Sequence, residues 1–198
     1  MDSELNGKVK ALIARQIAEG RQIGTQVCAY RDGKLIVDAW DGQMGAHDER
    51  RVGPESLFSS FSTTKGVAAT ILHMLADRGQ LDYDAPVAKY WPEFAKNGKE
   101  SATVRMMLDH SVGLPAIREP LKERACCDWD YMIRRLEDEE PFWKPGIRNG
   151  YHMINFGWTV GELVRRVGGM SMGTFFQNEV ARPTGADFWI GAPEEVEE

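Results

Sequence analysis

Cysteine is scarce in this chain, with three among 198 residues. Cys126 and Cys127 are adjacent and Cys28 stands alone, and neighbours in sequence rarely bridge to each other. No Cys-x-x-Cys spacing occurs, so neither a zinc site nor a dithiol redox motif is spelled out. All three read as reduced thiols, with Cys28 expected in the interior. Histidine is nearly as sparse, and His47, His73 and His110 do not sit at metal-ligand spacing, so no metal and no cofactor are expected. A basic excess is missing too. The net charge of −6 speaks against a nucleic-acid binder, which needs a basic face. No apolar run approaches the length that spans a bilayer. The opening "MDSELNGKVKALIARQIAEG" has acidic residues early and no unbroken apolar stretch, unlike a secretory signal. These absences lead to the expectation of a cytoplasmic protein with no nucleic-acid or membrane partner. No repeat or low-complexity tract occurs, and the length suits one domain with its own core.

What is present changes character along the chain. Leu5, Val9, Leu12, Ile13 and Ile17 fall at helical spacing, which predicts an amphipathic helix over 4–19. "GTQVCAYRDGKLIVDAWDGQ" alternates around Asp32-Gly33, a strong turn signal, and predicts an antiparallel hairpin over 24–40. The polar "MGAHDERRVGPES" reads as a loop. From residue 62 helical spacing takes over. Val67, Ile71, Met74 and Leu75 form one stripe, stopped by Arg78-Gly79. Further helices are predicted near Pro86, after Thr103 as N-cap, over 128–138, in "INFGWTVGELVRRVGG" and in "MGTFFQNEVARPTG". Leu163, Val164 and Val167 mark the buried side of the penultimate one. The acidic "EDEEP" at 137–141 and the terminal "PEEVEE" read as solvated faces. Strands followed by a run of helices is the α+β pattern.

Ser62 and Lys65 lie three apart at the head of the helix in "FSSFSTTKGVAATILHML". Residues at that spacing share one helix face, a turn apart. A serine hydroxyl is a poor nucleophile until a base takes its proton. Lysine serves as that base where burial and neighbouring charge favour its neutral form. Phe61, Val67, Ala68 and Ala69 give Lys65 apolar neighbours. With 8 serines and 9 lysines in 198 residues, a Ser-x-x-Lys arises by chance in roughly a third of such chains. Taken alone, an N-cap serine with a solvated lysine is therefore the commoner explanation.

Longer stretches add to it. "SLFSSFSTTKGVAATILHMLADRGQLDYDAPVAKYWPEF" resembles the serine β-lactamase and penicillin-binding-protein superfamily, and within it the family VIII carboxylesterase branch. Its Gly79–Val87 stretch, the following "TVRMMLDHSVGLP" and "PGIRNGYHMINFGWTVGELVRRVGG" resemble successive family segments in order. The resemblance implies a β-lactamase/transpeptidase-like fold: an N-terminal helix and sheet hairpin (1–60) with a mainly helical portion (61–198), forming one domain. It implies Ser62 as acylated nucleophile, Lys65 as its proton acceptor or as the residue that tunes that acceptor, Tyr151 as second base and leaving-group acid, and the Ser62 N–H as one oxyanion donor.

Two departures shape the expectation. The superfamily's Tyr-x-Asn is Tyr151-His152-Met153 here, and methionine cannot donate to a substrate amide oxygen. His152 and Met153 are accordingly expected beside substrate, and a small ester is favoured over a β-lactam. The family's third motif, Lys/His-Thr/Ser-Gly or Trp-x-Gly on a later strand, has no match: "HSVG" at 110 precedes the tyrosine and "RPTG" at 182 ends a helix. The expectation is a truncated member lacking the C-terminal strands, with a sheet edge open to self-association. An inactive acylable fragment and a non-enzymatic interaction protein are the alternatives.

Overall fold

A computed structural model describes residues 2–197. The chain forms two compact units that divide between Ser59 and Ser60.

In the first unit, α1 (Ser3–Ala18) is capped by Asp2, whose carboxylate accepts from the Leu5 N–H at 3.0 Å. Strands β1 (Gly24–Arg31) and β2 (Lys34–Gly45) form the expected antiparallel hairpin. Asp32 and Gly33 take φ of +51° and +71°, the left-handed pair that a two-residue primed turn demands. Helix α1 covers one face of the sheet, where Ile13, Val37 and Ala39 are buried with Leu5, Val9, Ile17, Val27, Ala29 and Ile36 around them. Three corrections follow from this packing. Cys28 is exposed, because Val27 and Ala29 take the covered face and the strand's alternation turns Cys28 outward. The hairpin's second strand runs five residues past 40, to Gly45. The segment expected as a loop contains β3 (Asp48–Arg51), which pairs with β2 through Gln43↔Arg51 and Gly45↔Asp48. Its four residues are charged and largely exposed, so no apolar alternation announced it.

The second unit is helical. α2 (Thr64–Asp77) buries Ala68, Ile71, Leu72 and Leu75, the i, i+3, i+4, i+7 face. Gly79, at φ +70°, closes the helix by donating to the Ala76 carbonyl at 2.9 Å. α3 (Val104–Leu108) follows Thr103, which caps by backbone position without a side-chain bond. α4 (Trp129–Asp138) starts where the Asp128 carboxylate accepts from the Tyr131 N–H at 3.0 Å. α5 (Asn155–Gly168) buries Phe156, Thr159, Val160, Leu163 and Val164 and packs on α2. α6 (Met172–Phe176), a π-turn at Gln177–Ala181, α7 (Arg182–Thr184) and α8 (Glu194–Glu197) complete the unit. The core holds Ile71, Leu72, Leu75, Trp91, Phe94, Leu114, Leu136 and Leu163. No helix among the described residues is long and apolar enough to cross a membrane.

The 137–141 stretch is only in part the solvated face its composition suggested: Asp138 and Glu140 are exposed, and the two glutamates at 137 and 139 are not. Glu137 and Glu139 are both 7% exposed. Trp91 Nε1 donates to Glu137 at 2.7 Å, and the Arg118 guanidinium pairs with Glu139. Buried Lys99 donates to the Glu137 and Glu139 carbonyls that end α4. Carboxylates enter an interior when distant partners wait for them, and a local run of sequence does not display those partners.

Candidate active site

Ser62 sits in a single 3-10 turn, Phe61–Thr63, that leads directly into α2. Side chains at i and i+3 eclipse in that geometry, so Ser62 is aimed at Lys65 on the first turn of α2. Lys65 Nζ lies 3.2 Å from Ser62 Oγ. The turn opens on a left-handed residue, since Phe61 has φ +46° and is 83% exposed. A non-glycine residue held there stores strain of the kind found at functional sites. A hydrogen bond of 2.9 Å between the Ser60 and Thr64 hydroxyls braces the turn.

Tyr151 comes from an irregular segment ahead of α5, 89 residues along the chain from Ser62. Its phenol faces the pair. The Ser62 hydroxyl first, then the Lys65 amine, hydrogen-bond it and hold it below the ordinary phenol range. Lys65 Nζ also lies 4.9 Å from the centre of the Tyr151 ring and 5.6 Å from that of Phe156. A second hydrogen bond tethers the amine, to the Met153 carbonyl at 2.8 Å. Ser62, Lys65 and Tyr151 therefore converge.

The two expected substrate contacts part company. Residues 151–153 are irregular, and their burial alternates: Tyr151 and Met153 are exposed and His152 between them is not. Met153 points out, 62% exposed, and lines the cleft beside Ser62. His152 points in, 2% exposed, and lines no part of that cleft. Its Nε2 accepts from the Leu114 N–H at 2.7 Å, which makes it a brace for the Gly-Leu-Pro loop. Burial pushes the imidazole pKa down to about 4 from 6.5.

That value yields a stability prediction. The unfolded chain takes up the His152 proton near pH 6.5, while the folded one does so only near pH 4. Stability present above pH 6.5 is thus lost as pH falls toward 4, by about 3 kcal/mol at 1.4 kcal/mol per unit. His152→Gln keeps an acceptor for the Leu114 N–H without a proton to bind. Urea titrations between pH 7 and 4 should show a shallower loss in the variant. Identical slopes would remove His152 as the cause.

The cleft around Ser62 has a volume of about 1340 Å³ and lies wholly within the second unit. Phe61, Trp129, Met153, Ile154, Trp158 and Ile190 give it an apolar wall. Trp129 Nε1 donates to Glu162 at 2.9 Å, and its ring lies where a Cβ on residue 161 would be, 2.6 Å from it; Gly161 makes the room. Glu162 is fully buried. Burial alone would raise its pKa, but hydrogen bonds from Arg165, Trp129 and Arg166 outweigh that and lower it. Cys126, Cys127 and Trp129 were not foreseen as lining residues. They reach the site through the tertiary packing of α4, and no spacing in "ACCDWD" signals it.

A Ser-x-x-Lys at the head of a helix met by a tyrosine, in an α+β chain, is the arrangement that the likeness to the serine β-lactamase and penicillin-binding-protein superfamily implied. The family comparison agrees: the sequence model of the Beta-lactamase family matches residues 9–198, and the chain belongs to that family. Esterase/beta-lactamase LipL of Mycobacterium tuberculosis (strain ATCC 25618 / H37Rv) is 39% identical over 176 residues, 88% of this chain and 41% of that protein. Among solved structures, a penicillin-binding protein homologue from Caulobacter crescentus superposes with a TM-score of 0.90 at 35% identity, covering 96% of this chain and 51% of the other. A family VIII carboxylesterase gives 0.89 at 39% identity, covering 97% and 53%. The chain spans about half the length of the relatives it matches.

Proposed function

We propose that this chain is a serine hydrolase acting through an acyl-Ser62 intermediate, with small carboxylic esters as substrates. The observation that carries the proposal is the 3.2 Å approach of Lys65 Nζ to Ser62 Oγ with the Tyr151 phenol facing both. Ser62 Oγ attacks the ester carbonyl carbon and its proton passes to Lys65. The carbonyl oxygen becomes an oxyanion at the start of the helix, where the first N–H groups lack intrahelical partners and the dipole favours negative charge. Tyr151 protonates the departing alkoxide, which leaves as alcohol. Water then cleaves the acyl-serine by the same proton path in reverse.

Esters are favoured over β-lactams on two grounds. Met153 stands where an amide donor would meet a lactam side chain. Arg165 lines the cleft, but it is already engaged by Glu162 at 2.8 Å and Asp130 at 3.7 Å, so a β-lactam carboxylate finds no free guanidinium there. The test is kcat/KM for nitrophenyl acetate and butyrate against nitrocefin. The esters are expected to be better by on the order of tenfold or more, and a preference for nitrocefin overturns the substrate class.

A second reading, an acylable serine with poor turnover, is favoured by the openness of the site: Tyr151 is 53% and Ile154 55% exposed. Desolvation strengthens oxyanion stabilisation, and an open site forgoes part of it. A burst of released nitrophenol without steady turnover would select this reading.

A further inference from the structure

The segment bearing Tyr151 has no regular secondary structure, and the tyrosine itself is half exposed, so its own packing does not fix it. It is held instead from the 109–114 loop. The Asn149 side-chain amide donates to the Asp109 carbonyl. The Gly150 N–H donates to the His110 carbonyl at 3.1 Å, and the His152 N–H donates to His110 Nδ1 at 3.2 Å. The Leu114 N–H donates to His152 Nε2 at 2.7 Å, and the Asn155 amide donates to the Leu114 carbonyl at 2.9 Å. His110 alone grips both neighbours of Tyr151, one through its carbonyl and one through its ring. That ring also lies against the tyrosine, centroids 4.9 Å apart, and against Phe156 at 5.1 Å. To do this His110 adopts φ +65°, a left-handed conformation uncommon outside glycine.

We infer that His110 is a positioning residue for Tyr151, acting as a neutral imidazole whose Nδ1 accepts from the His152 backbone and whose ring backs the phenol. The inference rests on the proposed role of Tyr151. Accepting at Nδ1 requires the proton on Nε2. A doubly protonated ring would set two N–H donors against each other and place a cation next to Lys65. The groups facing His110 are Lys65 from α2, Tyr151 and His152 from the tyrosine segment, and Asp109 from its own loop. Burial first, then Lys65, favour the neutral form, and Asp109 opposes them. Acidification that protonates His110 should therefore release Tyr151 from its place.

The test compares wild type, His110→Ala and His110→Asn. Asparagine carries an acceptor oxygen near the Nδ1 position, tolerates a left-handed φ and does not titrate. Two readouts are taken: the ionisation of Tyr151 by ultraviolet difference titration against Tyr151→Phe, and the single-turnover rate of acylation by an alkyl ester, whose departing alcohol needs the Tyr151 proton, across pH. In His110→Ala the Tyr151 ionisation should return toward an ordinary phenol, and acylation should slow on the order of 10²-fold, as small misplacements of a catalytic group do. His110→Asn should recover most of both, and its rate should fall less steeply than wild type's as the pH is lowered, the loss that remains being protonation of the Lys65 base. Thermal melts identify a variant that fails to fold, and His110→Asn then carries the comparison. Unchanged titration and acylation in His110→Ala overturn the inference, as does equal loss in both variants, which would mean packing alone. If wild type is not acylated, the proposed role of Ser62 fails, and the tyrosine titration still decides for or against His110.

Discussion

Ser62→Ala is expected to abolish covalent labelling by serine-directed probes and to remove ester turnover, a loss on the order of 10⁶-fold when a nucleophile is deleted. The reason is positional. Among the described residues, only Ser62 combines an exposed hydroxyl with a lysine amine at 3.2 Å and a tyrosine phenol facing it. Two other serines lie close enough to serve as internal controls. Ser60 is two residues away, but its hydroxyl is engaged with Thr64 at 2.9 Å. Ser171 lines the same cleft, but its hydroxyl caps α6 by accepting from the Thr174 N–H at 3.2 Å. The substitution should leave the fold alone, because the brace of the turn is the Ser60–Thr64 pair and the core face of α2 begins at Ala68. Far-ultraviolet circular dichroism should accordingly be unchanged. Peptide mapping of the labelled wild type should place the adduct on Ser62. A variant that is still labelled at Ser60 or Ser171 at a comparable rate would show that the nucleophile was misassigned.

How much of this could be read from the chain depends on the range over which each signal acts. The Ser62–Lys65 pair is local: a spacing of three on one helical turn fixes the approach of the side chains, so the spacing made the pair visible and the longer family-like stretches lifted it above chance. The hairpin was equally local, since Asp32-Gly33 supplies the two left-handed residues its turn needs. Tyr151 is different. Nothing near it in sequence marks it as functional, and only the likeness to a known family singled it out. His152 shows why adjacency misleads. Standing beside the tyrosine of the proposed site it suggested a substrate contact, yet its side chain turns inward and is buried between two exposed neighbours. Met153 was expected to contribute a side chain, and its carbonyl proves to be what tethers Lys65. A backbone oxygen has no residue identity, so no sequence signal could have announced it. Strand β3 and the buried Glu137 and Glu139 were missed for a related reason. Charged residues are read as solvated until their partners are known, and Trp91, Arg118 and Arg166 lie too far along the chain to be seen as partners.

Lys65→Met should slow acylation at neutral pH on the order of 10³-fold, within the range a general base contributes. Methionine roughly preserves the aliphatic stem, so packing near Phe156 is retained while the titratable amine is lost. Two hydrogen bonds go with it, to Ser62 Oγ at 3.2 Å and to the Met153 carbonyl at 2.8 Å. The first loss leaves the serine without its proton acceptor. The second frees the Met153 carbonyl next to the open cleft, where water can replace the amine, so little stability should be lost. The contrast with Tyr151→Phe separates the two bases. If Lys65 takes the serine proton and Tyr151 delivers one to the leaving alcohol, Lys65→Met should suppress labelling by reagents with good leaving groups. Tyr151→Phe should spare such labelling and depress turnover of esters whose alcohols need protonation. Single-turnover acylation rates with a fluorophosphonate, set beside steady-state rates on alkyl and nitrophenyl esters, measure both. Undiminished acylation in Lys65→Met would reduce the lysine to a tether for residues 151–153. The proton acceptor would then have to be Tyr151, whose phenol the Ser62 hydroxyl and the Lys65 amine already hold below its ordinary range.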